Sequence, residues 1–247
     1  MARRTLNGID NIGVYSQRAE EFGLALRGGF HPVDEDSVPP LMAGQSPSTM
    51  LLFGNVGSSI WQVFSESSEF KDREPDPLNR WSERIGHALA EEWGGAAFFP
   101  FGGPPYQPFL DWAKKAENLE SSMLGMLMHP TYGLWHAYRF AIALPQKVIL
   151  DKTTVQPPHA CDTCDEKPCL GGCPVNAFDG SRYDVESCYR FLDSTPDAAC
   201  LRYGCQARMA CPEGKGYVYQ PDHAAFHMEK FLLSQSERFE TEPPEIK

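Results

Sequence analysis

The sequence predicts a chain in two parts: a layered α/β or α+β domain over residues 1–150 and a cysteine-bearing segment over 151–235. A short mobile tail at 236–247 follows. Three observations predict this. Helix-like and strand-like runs alternate through the first part, the pattern of a sheet packed with helices. All eight cysteines fall between Cys161 and Cys211. The stretch from Glu237 onward is rich in Glu and Pro and too poor in apolar residues to order itself.

The elements follow in order. Residues 15–28 read as an amphipathic helix with Phe22, Leu24 and Leu26 as its apolar positions and Gly28-Gly29 as its stop. Residues 31–44 are rich in Pro and acid and read as loop. Thr49 to Phe53 is a continuous apolar run ending in Gly54, hence a buried strand. A further helix starts near Trp61 and extends toward Phe70, and residues 71–77 form a charged connector. Asp76-Pro77 opens a helix to about Trp93, with Leu78, Trp81, Ile85, Leu89 and Trp93 at helical spacing and Gly94-Gly95 closing it. Ala96 to Phe101 reads as a strand, Pro108 to Ala116 as a helix, and Leu134 to Leu144 as a strand closed by Pro145. His223 and His227 sit four apart in a helix ending near Leu233. Two imidazoles without a third ligand do not complete a metal site, so both read as surface or packing residues.

The cysteines run Cys161-Asp-Thr-Cys164, Cys169, Cys173-Pro174, Cys188, Cys200, Cys205 and Cys211-Pro212. Disulfides need an oxidising compartment, and no targeting signal is read at the N-terminus. Structural zinc usually takes two Cys-x-x-Cys knuckles, and here there is one. After it the spacings are 4, 3, 14, 11, 4 and 5 intervening residues, too irregular for a zinc ribbon. Two sets of four thiols, each half ending in Cys-Pro, fit two [4Fe–4S] clusters of ferredoxin type. In such pairs the last Cys of a run serves the other cluster. Cys161, Cys164, Cys169 and Cys211 then form one set and Cys173, Cys188, Cys200 and Cys205 the other. Gly171, Gly172 and Gly204 stand where backbone N–H groups could approach the sulfides.

Composition narrows the partners. The 247 residues carry 33 acidic against 22 basic side chains, a net charge of −11, and 42% hydrophobic residues. That balance argues against a general binder of nucleic acid or anionic membranes and suits docking to a basic redox partner. No run of 18 apolar residues exists, so no membrane span is expected. Arg3-Arg4 is followed by no apolar stretch between Thr5 and Gln17, so a twin-arginine signal is not read. A cytoplasmic location, where clusters and thiols stay reduced, is expected.

One further stretch groups unusual residues. His129-Pro130 and Gly133 mark a turn that would gather His129, Tyr132 and Trp135 at one loop tip, a common place for ligand contacts. In the competing reading Met126, Met128, Trp135 and Tyr138 are core and His129 is satisfied within the turn. The loop Phe101-Gly102-Gly103-Pro104 is either a pocket wall or a sharp corner.

The cysteine segment, with Arg182-Tyr183-Asp184, Cys188-Tyr189-Arg190-Phe191-Leu192 and Tyr203-Gly204-Cys205, resembles the ferredoxin-type module of epoxyqueuosine reductases. Those are cobalamin-dependent enzymes with two [4Fe–4S] clusters that act on a modified tRNA base. Leu127 to Trp135, followed by Tyr138-Arg139, is similar to the His-Pro-x-aromatic-Gly segment of CblC cobalamin-processing proteins. The two resemblances together imply a flavin-reductase-like N-terminal domain able to hold a corrinoid or a flavin. His129, Tyr132, Gly133 and Trp135, with Phe101, Gly102 and Gly103, would shape that pocket. The chain lacks the acid motif and the Gly-Trp-x-Gly-Lys-Asn-like segment of the reductases. Their Gly-Cys-x-x-Cys-x-x-x-Cys-Pro appears here as Gly204-Cys205 and Cys211-Pro212, with Cys200 standing in for the absent thiol. Action on tRNA is therefore not expected. The expected function is electron delivery through two clusters to a corrinoid bound by the first domain. The alternative is a ferredoxin-like carrier serving a partner reductase, with no substrate of its own.

Overall fold

The computed structural model describes residues 12–41, 44–150 and 158–241, the side chains of residues 240 and 241 excepted. In chain order the elements are α1 (Gly13–Glu20), β1 (Ala25–Phe30), β2 (Thr49–Val56), α2 (Trp61–Ser65), α3 (Ser68–Lys71), α4 (Pro77–Trp93), β3 (Ala96–Phe98) and α5 (Phe109–Glu117). They continue with β4 (Glu120–Ser121), β5 (Leu127–Met128), β6 (His136–Leu144), α6 (Pro168–Gly171), α7 (Val185–Ser194), α8 (Ala199–Tyr203), α9 (Gln206–Ala210) and α10 (Pro221–Thr241). These gather into two compact units. The described residues of 1–119 and 136–156 form the first, and those of 120–135 and 157–247 form the second.

The first unit is built on a four-stranded antiparallel sheet of order β1-β2-β6-β3, so the mixed α and β content is of the α+β kind. β2 shows why an apolar run without alternation can be a strand: Thr49 to Asn55 are all buried, so both faces of the sheet are covered. The strand does not stop at Gly54. It continues to Val56 through a bulge, because a side chain at Gly54 would meet the Ala137 carbonyl oxygen at 1.8 Å. α4 begins at Pro77 as expected and buries Leu78, Trp81, Ile85 and Leu89. Gly86 lets it approach the sheet, since a Cβ there would lie 2.9 Å from Phe99 and 3.2 Å from Phe140. Gly94, at φ 70°, closes it.

Several expectations need correction. The helix expected over 15–28 ends at Glu20, and its second half is β1. Phe22, Leu24 and Leu26 are spaced by two, the strand period, and Gly23 turns the chain at φ 70° with its α-carbon pressed on Ser59. Gly28-Gly29 is thus strand, not stop. The helix expected from Trp61 to Phe70 is two short ones, split where the Ser67 side chain accepts from the Phe70 N–H and starts α3 anew. The strand expected from Ala96 ends at Phe98, and the one expected from Leu134 starts at His136. α10 runs past Leu233 to Thr241, so part of the expected tail is helix; residues 242–247 lie outside the described residues.

The second unit joins the β4–β5 hairpin to helices α6–α10. Leu124, Met128 and Leu134 are buried in one apolar cluster with Cys169, Cys173, Ala177, Phe178, Ala207 and Cys211. That burial places the His-Pro segment among the cysteines. Gly172 allows α6 and α9 to touch, because a Cβ there would sit 2.7 Å from that of Ala210. Gly204, at φ 91°, likewise faces Ala224 of α10. Both glycines serve helix contact. Among the described residues no helix is long and apolar enough to cross a membrane.

Candidate metal centre

The cysteines are delivered by short helices and the turns beside them. Cys161 and Cys164 lie in the turns before α6, Cys169 is in α6 and Cys173 follows it. Cys188 is in α7, Cys200 in α8, and Cys205 and Cys211 flank α9. Short helices suit this work because their ends leave N–H groups free to face sulfur. All eight are free thiols.

The geometry sorts them into two fours. Cys161, Cys164, Cys169 and Cys211 line one small pocket, walled also by Met123, Met128, Pro168 and Pro212. Burial, with the neighbouring Cys161 and Cys164, pushes the Cys169 thiol up; burial, with Cys169 and Cys161, does the same at Cys211. The other four see one another. Burial pushes Cys188 up to about 11, with Cys205, Cys173 and Cys200 adding to it. Cys205 is raised by burial and by Cys200 and Cys173, and Cys200 by burial and by Cys173.

Backbone donors reach the sulfurs in both sets. The Ala177 N–H donates to Cys173 Sγ at 3.3 Å. Against the upward push of burial, the backbone N–H groups of Leu170 near Cys169, Gln206 near Cys200, Ala207 and Arg208 near Cys205, and Glu213 near Cys211 pull the thiols down. Beside the first set Lys167 Nζ donates to the carbonyl of Cys164 at 3.2 Å and of Cys161 at 3.5 Å, tying the knuckle closed. Burial first, then the neighbouring Cys188, push the Tyr183 phenol up. Apolar walls, four thiolate-forming groups and N–H donors make a donor set that suits an iron–sulfur cube. Among the described residues no three His, Cys, Asp or Glu side chains are grouped as a single metal ion requires. A tetrahedral zinc with Zn–S of about 2.3 Å draws its sulfurs to within about 4 Å of one another, whereas a cube keeps its own iron and sulfide between them.

The other candidate residues have structural partners. His129 Nδ1 accepts the N–H groups of Thr131 (3.0 Å) and Tyr132 (3.1 Å), and its ring stacks on Tyr132 at 4.1 Å. Gly133, at φ 56°, lets the turn abut Glu213 and Gly214, where a Cβ would lie 2.4 Å from a carbonyl oxygen. Trp135 is 1% exposed, packed with Tyr219 and Ala224 and faced by the Arg208 guanidinium at 4.3 Å. It is core. Phe101, Gly102 and Gly103 belong to the first unit, where Phe101 packs on Phe99 at 5.5 Å and lies under Arg139. His223 is buried, stacked on Tyr219 at 4.2 Å, with its Nε2 3.1 Å from that of His227. Packing is what these two histidines do.

Two features escaped the sequence reading. Tyr183, quoted there within Arg182-Tyr183-Asp184, was given no role of its own. In the first unit, Arg27 in β1 is 1% exposed and donates to both oxygens of Glu117 (3.1 and 2.8 Å), to the Asn55 carbonyl and to His136 Nδ1. Tyr138 donates to the same Glu117 carboxylate. Burial pushes the Glu117 carboxyl up although Arg27 and Tyr138 pull it down.

No known family pattern and no curated protein matches the chain. Among solved structures, epoxyqueuosine reductase of Streptococcus thermophilus is 16% identical with a TM-score of 0.46, over 87% of this chain and 70% of that one. The enzyme of Bacillus subtilis is 16% identical with a TM-score of 0.41, over 87% and 71%. An epoxyqueuosine reductase bound to a tRNA stem loop is 15% identical with a TM-score of 0.43, over 87% and 71%. With every TM-score below 0.5, these overlaps establish neither family nor function, and the chemistry of the site rests on its own residues.

Proposed function

We propose that the second unit holds two [4Fe–4S] clusters, one on Cys161, Cys164, Cys169 and Cys211, the other on Cys173, Cys188, Cys200 and Cys205, and that the chain is an electron relay. The observation that carries this is the sorting of eight thiols into the two fours that crossed ferredoxin wiring requires. When bound, each cluster would supply one-electron transfer at low potential. The protein's part is to hold the sulfurs, exclude water with Met123, Met128, Leu134 and Phe178, and aim N–H groups at them.

The acceptor proposed for the relay is a corrinoid, on the strength of the His-Pro segment's resemblance to cobalamin-processing proteins; a flavin is the alternative cofactor. A second reading has a specific observation in its favour. Trp135 is core and His129 is bound into its own turn, so neither is offered to a ligand. That favours a carrier which docks a reductase and binds no substrate of its own.

Anaerobic purification tests the first claim. About eight iron and eight sulfide per chain, with broad visible absorption, are expected; zinc or metal-free thiols sink it. Adding hydroxocobalamin to the reduced protein separates the readings. Saturable conversion to cob(II)alamin supports the corrinoid acceptor, and a spectrum without saturable binding supports the carrier.

A further inference from the structure

The first unit carries a concavity that the electron relay does not use. Its volume is about 330 Å³, within the range of small-molecule sites. The apolar lining is Phe22 from the turn between α1 and β1, Val63 of α2, and Trp81 and Ile85 of α4. Trp81 and Ile85 are each 1% exposed. The polar lining comes from Gln62, Glu66, Ser67 and Arg84. These walls are held in place. Trp81 packs edge-on against Phe64 at 5.8 Å, and the Ser67 side chain caps α3, which fixes the corner between α2 and α3. The charges around the concavity do not balance. Arg84 is engaged with Glu69 through Nε and, at 3.1 Å, through Nη2. Arg18, whose guanidinium lies 5.2 Å over the Phe22 ring, is paired with Glu92 at 3.1 Å and with Glu21. Glu66 differs: among the described residues its carboxylate has no hydrogen-bond or ion-pair partner, and neither has the Gln62 side-chain amide. Two guanidiniums already matched and one carboxylate unmatched leave the opening negative.

We propose that this cavity binds a small organic cation, an ammonium group on an apolar body, with Glu66 taking the charge and Phe22, Val63, Trp81 and Ile85 enclosing the body. An apolar body gains by leaving water for such a lining. The ammonium donates to the Glu66 carboxylate, a charge-assisted bond, and the Gln62 amide oxygen accepts a second of its three N–H donors. Aromatic rings in the lining favour the same charge, since a ring face attracts a cation. A carboxylate ligand is disfavoured, because Arg84 is already spent on Glu69 and Glu66 would repel it. A neutral ligand would cover Glu66 without supplying a counter-charge, which costs free energy. Every residue of the site belongs to the first unit, so the proposal stands apart from the two-cluster reading.

The test is calorimetric titration of the anaerobically purified full chain at pH 7 with 2-phenylethylamine and with tryptamine. Their neutral and anionic counterparts, 2-phenylethanol and 3-phenylpropionate, run beside them. Expected is saturable binding of at least one amine, roughly tenfold or more tighter than the alcohol, with no binding of the carboxylate. Glu66→Gln, at an exposed position, should weaken the amine by a similar factor. Val63→Lys, which sets a positive charge in the lining at a residue 37% exposed, should abolish it. Glu120→Gln in β4, an exposed acid of the second unit, should change nothing. Neither amine binding saturably overturns the proposal, as does an alcohol or carboxylate that binds as tightly. Amine binding that survives Glu66→Gln and Val63→Lys unchanged also overturns it, and reports only the attraction of cations to a chain of net charge −11.

Discussion

The first unit buries charge and the second buries sulfur, and the two handle their buried polar groups differently. In the first, Arg27 is surrounded by Glu117, His136 and the Asn55 carbonyl, and Glu117 is also held by Tyr138. In the second, seven of the eight thiols lie among apolar side chains. Among the described residues the buried side-chain atoms without a hydrogen-bond partner, Trp135 Nε1, His159 Nε2, Arg208 Nε and Gln235 Oε1, all belong to this unit. Polar groups buried without partners cost free energy, so a fold that tolerates them is stabilised elsewhere. In the first unit amino acids complete the structure. In the second, short helices of four to five residues carry Cys169 and Cys200 and separate Cys205 from Cys211; such helices do not stand alone in water.

The largest effect expected of this contrast is on metal removal. Anaerobic chelation of iron should abolish slow amide exchange through α6, α8 and α9 while β2, β6 and α4 keep theirs, because ligand binding and folding are one process in such sites. Segment-resolved hydrogen exchange checks it. Equal loss in both units, or none in either, would break the comparison.

A sharper version uses the wiring. Cys211→Ser and Cys161→Ser should each cost one cluster, taking iron from about eight to about four per chain, and the double variant should be no worse than either single one. Cys205→Ser combined with Cys211→Ser should remove both clusters. If Cys211→Ser instead behaves as part of the Cys205 set, the crossing is wrong, whatever the total iron.

The same contrast explains what was legible in the sequence. The helix from Pro77 could be read because its start, stripe and stop agree with one another, and the expected cysteine sets rest on residue type and spacing, which carry ligand chemistry. β1 could not be read. Its apolar positions lie two apart, but an Ala-Glu-Glu-rich lead-in points to helix, and only contact with Ser59 shows why the chain turns at Gly23. Nor could Trp135 be assigned. An aromatic residue near a His-Pro turn looks the same from sequence whether it faces a ligand or, as here, the Arg208 guanidinium.

In the first unit the ion pair is the place to press. Glu117→Ala strips a buried arginine of its counter-charge and should destabilise the unit by about 3 kcal/mol, measured by denaturant melts, while Glu117→Gln keeps a hydrogen-bond partner and should cost less. Iron content should not change in either variant. A fall in iron would show that the two units are not separable in stability.

The smallest effect concerns acid. Arg84 beside Glu69 holds that carboxyl down to about 2, against an ordinary value of 4.5, with Nη2 to oxygen at 3.1 Å. A carboxylate lowered on folding adds stability that is complete above its unfolded pKa and drains as pH falls through the folded one. The loss should therefore fall between about pH 4.5 and pH 2. The guanidinium is 54% exposed, so solvent screens the pair and the contribution is about 1 kcal/mol, well below the unscreened conversion of the shift. Melts of the wild type and Glu69→Gln across that window should converge toward pH 2 and separate above pH 4.5. Curves that stay parallel would mean the carboxylate is not held by Arg84 in solution. Iron–sulfur clusters of the kind proposed are acid-labile, so the melt must be followed by the tryptophans of α4 and α5, Trp81, Trp93 and Trp112, in the unit expected to fold without metal.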